Sequence, residues 1–287
     1  MSCDCHIHMI LDGVYYRDAI NHQKNEPDEA LIRARLASYA SHGVTFLRDG
    51  GDAWGVGLRA ARLAGEYGID YRSPAFPIYC CGHYGGFIGR GFEDIGGYRQ
   101  LIAEARALGA DFIKIMISGL MDFDRYGLIT GETYSAELIA EMIRIAHGEG
   151  FAVMAHANGA ETMRVAAEAG VDSIEHGAYA DDAALSAMAA HNVIWTPTLS
   201  TIGNLIGCGR YRDDVLSPLL ETQSRNLQKY AAMGGLIACG SDAGAYLVPH
   251  VQGAADEERY LVRALGDNAK DLLQCGEAEI MRRFKRC

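Results

Sequence analysis

Residues 2–8 read Ser2-Cys3-Asp4-Cys5-His6-Ile7-His8, and the interpretation of the whole chain starts from this stretch. On a β-strand, successive side chains alternate between the two faces. Asp4, His6 and His8 would then share one face, and the two imidazoles, roughly 6–7 Å apart, can reach one metal ion. Two histidines alone are a weak signal, which surface residues near a chain end explain more simply. The later strands decide between these interpretations.

The composition of the 287 residues excludes several classes of protein. Apolar residues make up 49% and charged residues 22% of the chain, as in ordinary globular proteins. The formal net charge of −11 argues against nucleic acids and anionic membranes as partners. No apolar run approaches the ~20 residues of a membrane span, and no secretion signal is recognisable. These absences lead us to expect a cytoplasmic location. The eight cysteines are scattered without zinc-type pairs, so we expect reduced thiols.

Short apolar strands alternate with amphipathic helices along the chain. Strands are predicted at residues 2–8, 44–49, 71–80, 111–117, 151–156, 173–176, 193–199 and 236–242. Helices are predicted at 27–42, 56–67, 98–108, 135–149, 160–169, 181–190, 215–233, 255–265 and 277–284, and polar or glycine-rich loops at 21–25, 82–87 and 118–134. This order predicts an α/β fold, a closed (β/α)8 TIM barrel formed by one domain, residues 1–287. An open doubly wound sheet is the alternative fold.

Polar residues that can bind metal stand where several of these strands end. They are His6 and His8 of strand one, His156 of strand five, His176 of strand six and Asp242 of strand eight. The carboxyl ends of barrel strands meet at one mouth, so these side chains would form a nitrogen and oxygen site suited to zinc, manganese or iron. Lys114 lies within apolar strand four, where an unpaired ammonium group would be costly. Each residue alone has an ordinary structural explanation, but their joint occurrence does not.

The chain resembles the amidohydrolase superfamily of metal-dependent hydrolases. The resemblance rests on Asp4-x-His6-x-His8, Phe112-Ile113-Lys114-Ile115, Ala155-His156-Ala157, Ile174-Glu175-His176-Gly177 and Gly240-Ser241-Asp242-Ala243-Gly244. The loop Gly82-His83-Tyr84-Gly85-Gly86 is most similar to the branch of imidazolonepropionase-like enzymes and Xaa-Pro-type dipeptidases.

This resemblance implies a centre of two divalent metal ions, with zinc as the expected metal. His6, His8 and Asp242 would bind the first ion, His156 and His176 the second, and a carboxylated Lys114 would bridge them. Relatives usually add a small β-sandwich built from segments on both sides of the barrel. In this sequence the sandwich is expected to be reduced or absent, or to belong to an upstream segment.

The implied function is hydrolysis of an amide (C–N) bond in a small molecule such as a dipeptide, an N-acyl amino acid or a cyclic amide. A metal-bridging hydroxide would attack the carbonyl, and Asp242 would act as general base and then acid. His83, which resembles a substrate-contacting residue of that branch, or Tyr84 would stabilise the oxyanion.

Substrate binding and the class of function have further alternatives. Arg90 and Arg125 would hold a substrate carboxylate, unless they are simply solvated loop residues. The glycine-rich loop has a weak alternative interpretation as a phosphate-binding loop. A lactonase, a deaminase or a non-catalytic metal-binding relative are the alternative functions. We also expect assembly into a homo-oligomer.

Overall fold

A computed structural model describes residues 2–285 of the chain. Its strands are β1 (Cys3–Ile7), β2 (Phe46–Asp49), β3 (Asp70–Arg72), β4 (Pro77–Cys80), β5 (Arg90–Phe92), β6 (Ile113–Met116), β7 (Val153–Ala157), β8 (Ser173–His176), β9 (Ile194–Thr196) and β10 (Leu236–Ile237). Its helices are α1 (Tyr16–Gln23), α2 (Glu29–Ser41), α3 (Val56–Leu63), α4 (Ile95–Leu108), α5 (Ala136–Gly148), α6 (Ala160–Glu168), α7 (Asp182–Ala190), α8 (Ser200–Gly203), α9 (Asp213–Ala232), α10 (Gln252–Leu265) and α11 (Ala269–Arg283).

Parallel pairing joins the strands into two hydrogen-bonded groups, β1-β2-β3 and β10-β9-β8-β7-β6-β4-β5. The groups meet on one side where the amide of Cys5 donates to the carbonyl of Cys239 at 2.8 Å. On the other side the amide of Asp111, just before β6, donates to the carbonyl of Ser73 at 2.8 Å. These contacts close the sheet, and the (β/α)8 barrel expected from the alternating pattern is confirmed.

The third barrel strand is interrupted, which differs from the continuous strand expected over residues 71–80. It consists of β3 and β4, separated by four residues that include Pro74 and Ala75. Ala75 has a φ of 66°, outside the strand region. Proline lacks the amide hydrogen that a central strand donates, so the ladder breaks here and resumes at Pro77. The short strand β5, which follows the expected loop at 82–87 and was not predicted, then pairs with β4.

Several helices begin where a side chain can accept a hydrogen bond from the first turn. Asp28, Asp94, Ser135 and Asp181 precede α2, α4, α5 and α7, and each accepts from an amide three residues later. Such caps satisfy amides that have no partner inside the helix. The expected loop at 21–25 is instead largely α1, and the last helix begins at Ala269 rather than at residue 277.

The barrel interior has an apolar lower part and a polar middle. Phe46, Phe112, Met154, Ile194 and Phe284 are buried together at the amino ends of the strands. Above them the guanidinium of Arg48 lies 4.5 Å from the ring centroid of Phe284. Among the described residues, no helix is long and apolar enough to cross a membrane.

Candidate metal centre

Four histidine side chains converge at the carboxyl ends of the strands. The ring centroids are 5.4 Å apart for His6 and His8 and 5.3 Å apart for His6 and His176. The rings of His156 and His176 are 4.6 Å apart. The barrel therefore brings together imidazoles that are separated by up to 170 residues in the sequence.

Asp242 completes a group of three ligand atoms. One of its carboxylate oxygens, Oδ1, lies 3.5 Å from Nε2 of His6 and 3.5 Å from Nε2 of His8. Its backbone adopts the left-handed conformation, with a φ of 60°. The preceding residue, Ser241, is fixed by Asp4, whose carboxylate accepts from the Ser241 amide at 2.8 Å and hydroxyl at 2.6 Å. This explains why the first strand carries an aspartate two residues before His6.

Each of three histidines has one ring nitrogen engaged by the protein, which leaves the other nitrogen available. Nδ1 of His6 lies 2.8 Å from the carboxylate of Glu175, and Nδ1 of His176 lies 2.8 Å from the hydroxyl of Thr198. Nε2 of His156 lies 3.0 Å from the carbonyl of Gly119. A second partner of this kind fixes the tautomer and the orientation of a metal-binding imidazole.

Lys114 points its amine into the same space. The side chain is buried, and Nζ has no hydrogen-bond partner among the described residues. Burial lowers the pKa of Lys114 to about 8. Burial also raises the pKa of Asp242 to about 7 and lowers that of His8 and of His156 to about 3. The imidazoles are therefore neutral, which is the form that binds metal.

Arg48 and Glu175 support the site from below, and the motif analysis did not assign a role to either residue. Both side chains are fully buried, and the Arg48 guanidinium donates to the Glu175 carboxylate at 2.9 Å. Arg48 also donates to the hydroxyls of Ser173 and Thr196 and to the carbonyl of Cys5. The sequence contains one signal for Glu175. It lies two residues after Ser173 and therefore on the same, inner face of β8.

The loop at residues 118–134 joins the centre to the mouth of the barrel. At its root, the carbonyl of Gly119 accepts from His156 and from the side-chain amide of Asn158. A Cβ atom at Gly119 would lie 1.5 Å from the carbonyl oxygen of Thr130, so this position requires glycine. Leu120, Met121 and Phe123 follow in the cavity wall, and residues 124–128 are exposed.

A cavity of about 380 Å³ lies above the histidines. This volume is in the range of small-molecule sites. Its described lining is mostly apolar and aromatic, and it includes Tyr84, whose ring centroid is 5.0 Å from that of His156. Lys114, Arg210 and Asp242 are the charged members of this lining, apart from the histidines.

Three other residues expected to contact substrate lie outside the described cavity lining. Nδ1 of His83 lies 3.0 Å from the carbonyl of Glu132. Arg90 pairs with Glu104 and stacks on Phe76, and the exposed Arg125 pairs with Asp122 in its own loop at 2.7 Å. In each case a nearby partner holds the polar group, so this geometry gives no support to a substrate contact. Roles of His83, Arg90 and Arg125 in substrate binding therefore stay predictions.

The donor set fits divalent metal ions. The ligand atoms of His6, His8 and Asp242 lie within 4.8 Å of one another. Nε2 of His6 is buried without a hydrogen-bond partner among the described residues, which is costly unless the atom has a ligand. Four imidazoles, one carboxylate and one lysine exceed the four ligands of a single tetrahedral site. Among the described residues, His6, His8 and Asp242 therefore form a group that could hold a metal ion.

Comparisons with known proteins agree with this geometry. Residues 28–280 match the model of the family described as Amidohydrolase family. The fold is similar to a Xaa-Pro dipeptidase crystallised with methionine in its active site, with a TM-score of 0.77, 22% identity and coverage of 98% of this chain and 75% of that one. It is also similar to A. niger ochratoxinase, with a TM-score of 0.76, 21% identity and coverage of 94% and 68%.

Sequence relatives include an uncharacterized protein of Mycobacterium tuberculosis. It is 28% identical over 156 residues, which are 53% of this chain and 39% of that protein. The matched stretch therefore spans about two fifths of this relative.

Proposed function

The chain belongs to the amidohydrolase family, and from this premise we propose that it hydrolyses an amide (C–N) bond of a small molecule at a centre of two divalent metal ions. The single observation that carries the proposal is the unpaired, buried amine of Lys114 beside Asp242 and neutral histidines. Among the described residues the Lys114 amine has no hydrogen-bond partner, and it would become a metal ligand once it is carboxylated.

The proposed ligands follow from the available atoms. His6, through its Nε2, would hold the first ion together with His8 and Asp242. His156 and His176 would hold the second. Lys114 would bridge the two ions. The neutral amine of Lys114 adds carbon dioxide to give a carbamate and releases one proton, and the carbamate offers two anionic oxygens. Zinc is the proposed metal, since nitrogen and oxygen donors in low coordination suit it.

The reaction divides between the metal centre and the side chains of the cavity. Bound divalent ions polarise a carbonyl and lower the pKa of water. Asp242 would accept the proton of the attacking water and return it to the leaving nitrogen. Burial raises the pKa of Tyr84, so its hydroxyl keeps its proton and can donate to the oxygen of the developing tetrahedral centre.

Metal analysis of a lysine variant tests this proposal. Wild-type protein reconstituted with zinc and bicarbonate should hold close to two ions per chain and hydrolyse an amide. Lys114→Ala should lose one ion and most activity, and short carboxylic acids should partly restore both by replacing the missing bridge. Lys229→Ala is the matched control, because Lys229 forms an exposed ion pair with Asp182.

Two outcomes would contradict the proposal. One is a metal content below one ion per chain after reconstitution. The other is a Lys114→Ala protein with full metal content and rate, which would show that Lys114 is not a ligand.

A further inference from the structure

One part of the cavity wall is a run of aromatic rings, which we call the aromatic ladder (Tyr84, Phe87, Tyr16 and Tyr15). The ladder begins at Tyr84, beside His156. Distances between consecutive ring centroids are 5.5 Å from Tyr84 to Phe87, 5.6 Å from Phe87 to Tyr16 and 6.0 Å from Tyr16 to Tyr15. The ladder thus runs from the candidate metal centre to the rim, where Tyr15 is 43% exposed. Aromatic rings that are tilted or edge-to-face, as these are, offer a surface for apolar and aromatic groups.

Arg210 is the one arginine in the described part of the cavity lining. Its guanidinium lies 4.6 Å from the ring centroid of Tyr246 and 5.2 Å from that of Tyr211. Within residues 2–285, Arg210 forms no ion pair with a carboxylate, in contrast to Arg90 and Arg125. Stacking on the tyrosines and a hydrogen bond to the Tyr246 side chain orient the exposed guanidinium. A guanidinium has several N–H donors, so others stay available for a carboxylate.

The described lining offers no spare anion. Asp242 is its only carboxylate, and the proposed function assigns that group to the metal ions and to proton transfer. Two acidic side chains next in sequence to lining residues are already engaged. Asp122 pairs with Arg125, and Asp12 accepts from the amides of Val14 and Tyr15. A substrate ammonium group would therefore enter this cavity without a partner, which is costly.

We propose that the substrate is an N-acylated amino acid with an apolar acyl group, rather than a dipeptide with a free amino terminus. The carboxylate of the amino acid binds Arg210, and the acyl group packs on the aromatic ladder. This inference rests on the proposed function for the cleavage of the amide bond, but the binding contacts are independent of the cleavage.

Three compounds with the same skeleton test the inference. N-(3-phenylpropanoyl)-L-leucine is the dipeptide Phe-Leu without its ammonium group, and N-(3-phenylpropanoyl)-L-leucinamide also lacks the carboxylate. We expect kcat/KM for the first compound to exceed that for Phe-Leu and for the leucinamide by about tenfold or more, since contacts with a charged group have this magnitude.

Variants of Arg210 separate the carboxylate contact from general damage. Arg210→Gln should raise KM for the acid by about tenfold, leave kcat nearly unchanged and leave the leucinamide unaffected. Arg210→Lys should retain part of the preference, because a single charge replaces a planar donor. Arg212→Gln is the control, since Arg212 pairs with Asp214 on the surface outside the described lining.

Calorimetry with the metal-loaded Asp242→Asn variant measures binding without cleavage, so it separates this inference from the proposed function. Tighter binding of the acid than of Phe-Leu and of the leucinamide supports the subsite. If wild-type protein cleaves none of the three compounds, that counts against the proposed function but not against the subsite. Cleavage of all three at similar rates supports the proposed function and overturns this inference. A preference for Phe-Leu, or an equal loss for acid and amide in Arg210→Gln, also overturns it.

Discussion

At the scale of single residues, Asp242 joins an unusual backbone conformation to the chemistry proposed for it. A φ of 60° is rare for residues other than glycine, but aspartate and asparagine tolerate it. The amide of Asp242 donates to the carbonyl of His6 at 2.7 Å, so the same turn closes the barrel and aims the carboxylate. Replacement by asparagine should therefore spare the backbone and remove the carboxylate that is proposed as base and as metal ligand.

The first prediction concerns Asp242→Asn. We expect its helical signal and melting temperature to stay close to those of wild type, because burial already disfavours the charged form of Asp242. The rate should fall by ~10²–10⁴, the usual contribution of a positioned proton-transfer group. Circular dichroism and steady-state kinetics measure the two effects, with Asp214→Asn on the surface as control. A variant with wild-type rate would move the acid and base role to another group.

The second prediction concerns Glu175, which holds both Arg48 and His6. Glu175→Gln leaves a buried guanidinium without its carboxylate, which should lower the free energy of unfolding by about 3–5 kcal/mol. It also weakens the contact that orients His6, so metal affinity should fall about 10–100-fold.

Urea unfolding and competitive metal titration test these two effects of Glu175→Gln. Glu168→Gln, in an exposed pair with Arg164, serves as the control and should change neither quantity appreciably. If both variants behave like wild type, the buried pair is not what supports the centre.

At the scale of elements, the sequence predicted the parts of the fold that obey a simple period. The buried strands β6, β7 and β8 were located within two residues, because apolar runs bounded by glycine or polar residues mark them. Helix α1 was missed because Tyr15 gives it no side-chain cap and its own sequence is largely polar. The short elements β5 and α8 were missed because tertiary contacts, rather than periodicity, define them.

The candidate site was predictable to a similar extent. The barrel topology alone brings these residues together: Lys114 lies within β6, and the others stand at or just after strand ends, namely His6, His8, His156, His176 and Asp242. Their roles as metal ligands stay a prediction. Arg210 and the orientation of His83 depend on loop conformation, for which the sequence offers no period.

The third prediction concerns Glu257 of α10, which accepts from the amide of Ser200 at the start of α8 at 2.7 Å. Burial raises the pKa of Glu257 from 4.5 to about 8, so the folded chain binds a proton that the unfolded chain releases. Its contribution to stability is present below about pH 4.5 and is lost as pH rises towards about 8. Glu257→Gln keeps an acceptor for Ser200 and should flatten this part of the pH dependence.

Unfolding free energies of wild type and Glu257→Gln at pH values between about 5 and 9 measure the effect. Asp4, Asp49 and Glu277 also have pKa values raised by burial, so part of the decline should remain. Glu221→Gln, on the exposed face of α9, should follow the wild-type curve. Parallel curves for Glu257→Gln and wild type would refute the assignment.

At the scale of the whole molecule, the barrel has three layers from bottom to mouth. Apolar side chains around Phe284 close the bottom, the Arg48 and Glu175 pair fills the middle, and the histidines lie above. The lower two layers need no metal to satisfy their groups. That residues 1–287 form one domain, that the chain forms a homo-oligomer and that it resides in the cytoplasm stay predictions, which limited proteolysis, light scattering and cell fractionation would test.

The fourth prediction follows from this layering. Removal of metal by a chelator should leave the barrel folded, with an unchanged far-ultraviolet spectrum, because the lower layers stay intact. The apparent free energy of unfolding should fall by about 2.7 kcal/mol for each bound ion, relative to protein with free metal at 100 times its Kd. Complete unfolding, or no change in stability, would contradict this description.

The loop at residues 118–134 has a root whose sequence the structure constrains and a tip whose sequence it does not. Its root, through the Gly119 carbonyl, holds His156, and no side chain fits there beside Thr130. Its exposed tip, residues 124–128, touches none of the histidines through a described hydrogen bond. Substitutions in the tip can therefore accumulate without disturbing the contacts that hold His156. One loop therefore combines a root that sequence change would disrupt with a tip that is free to vary.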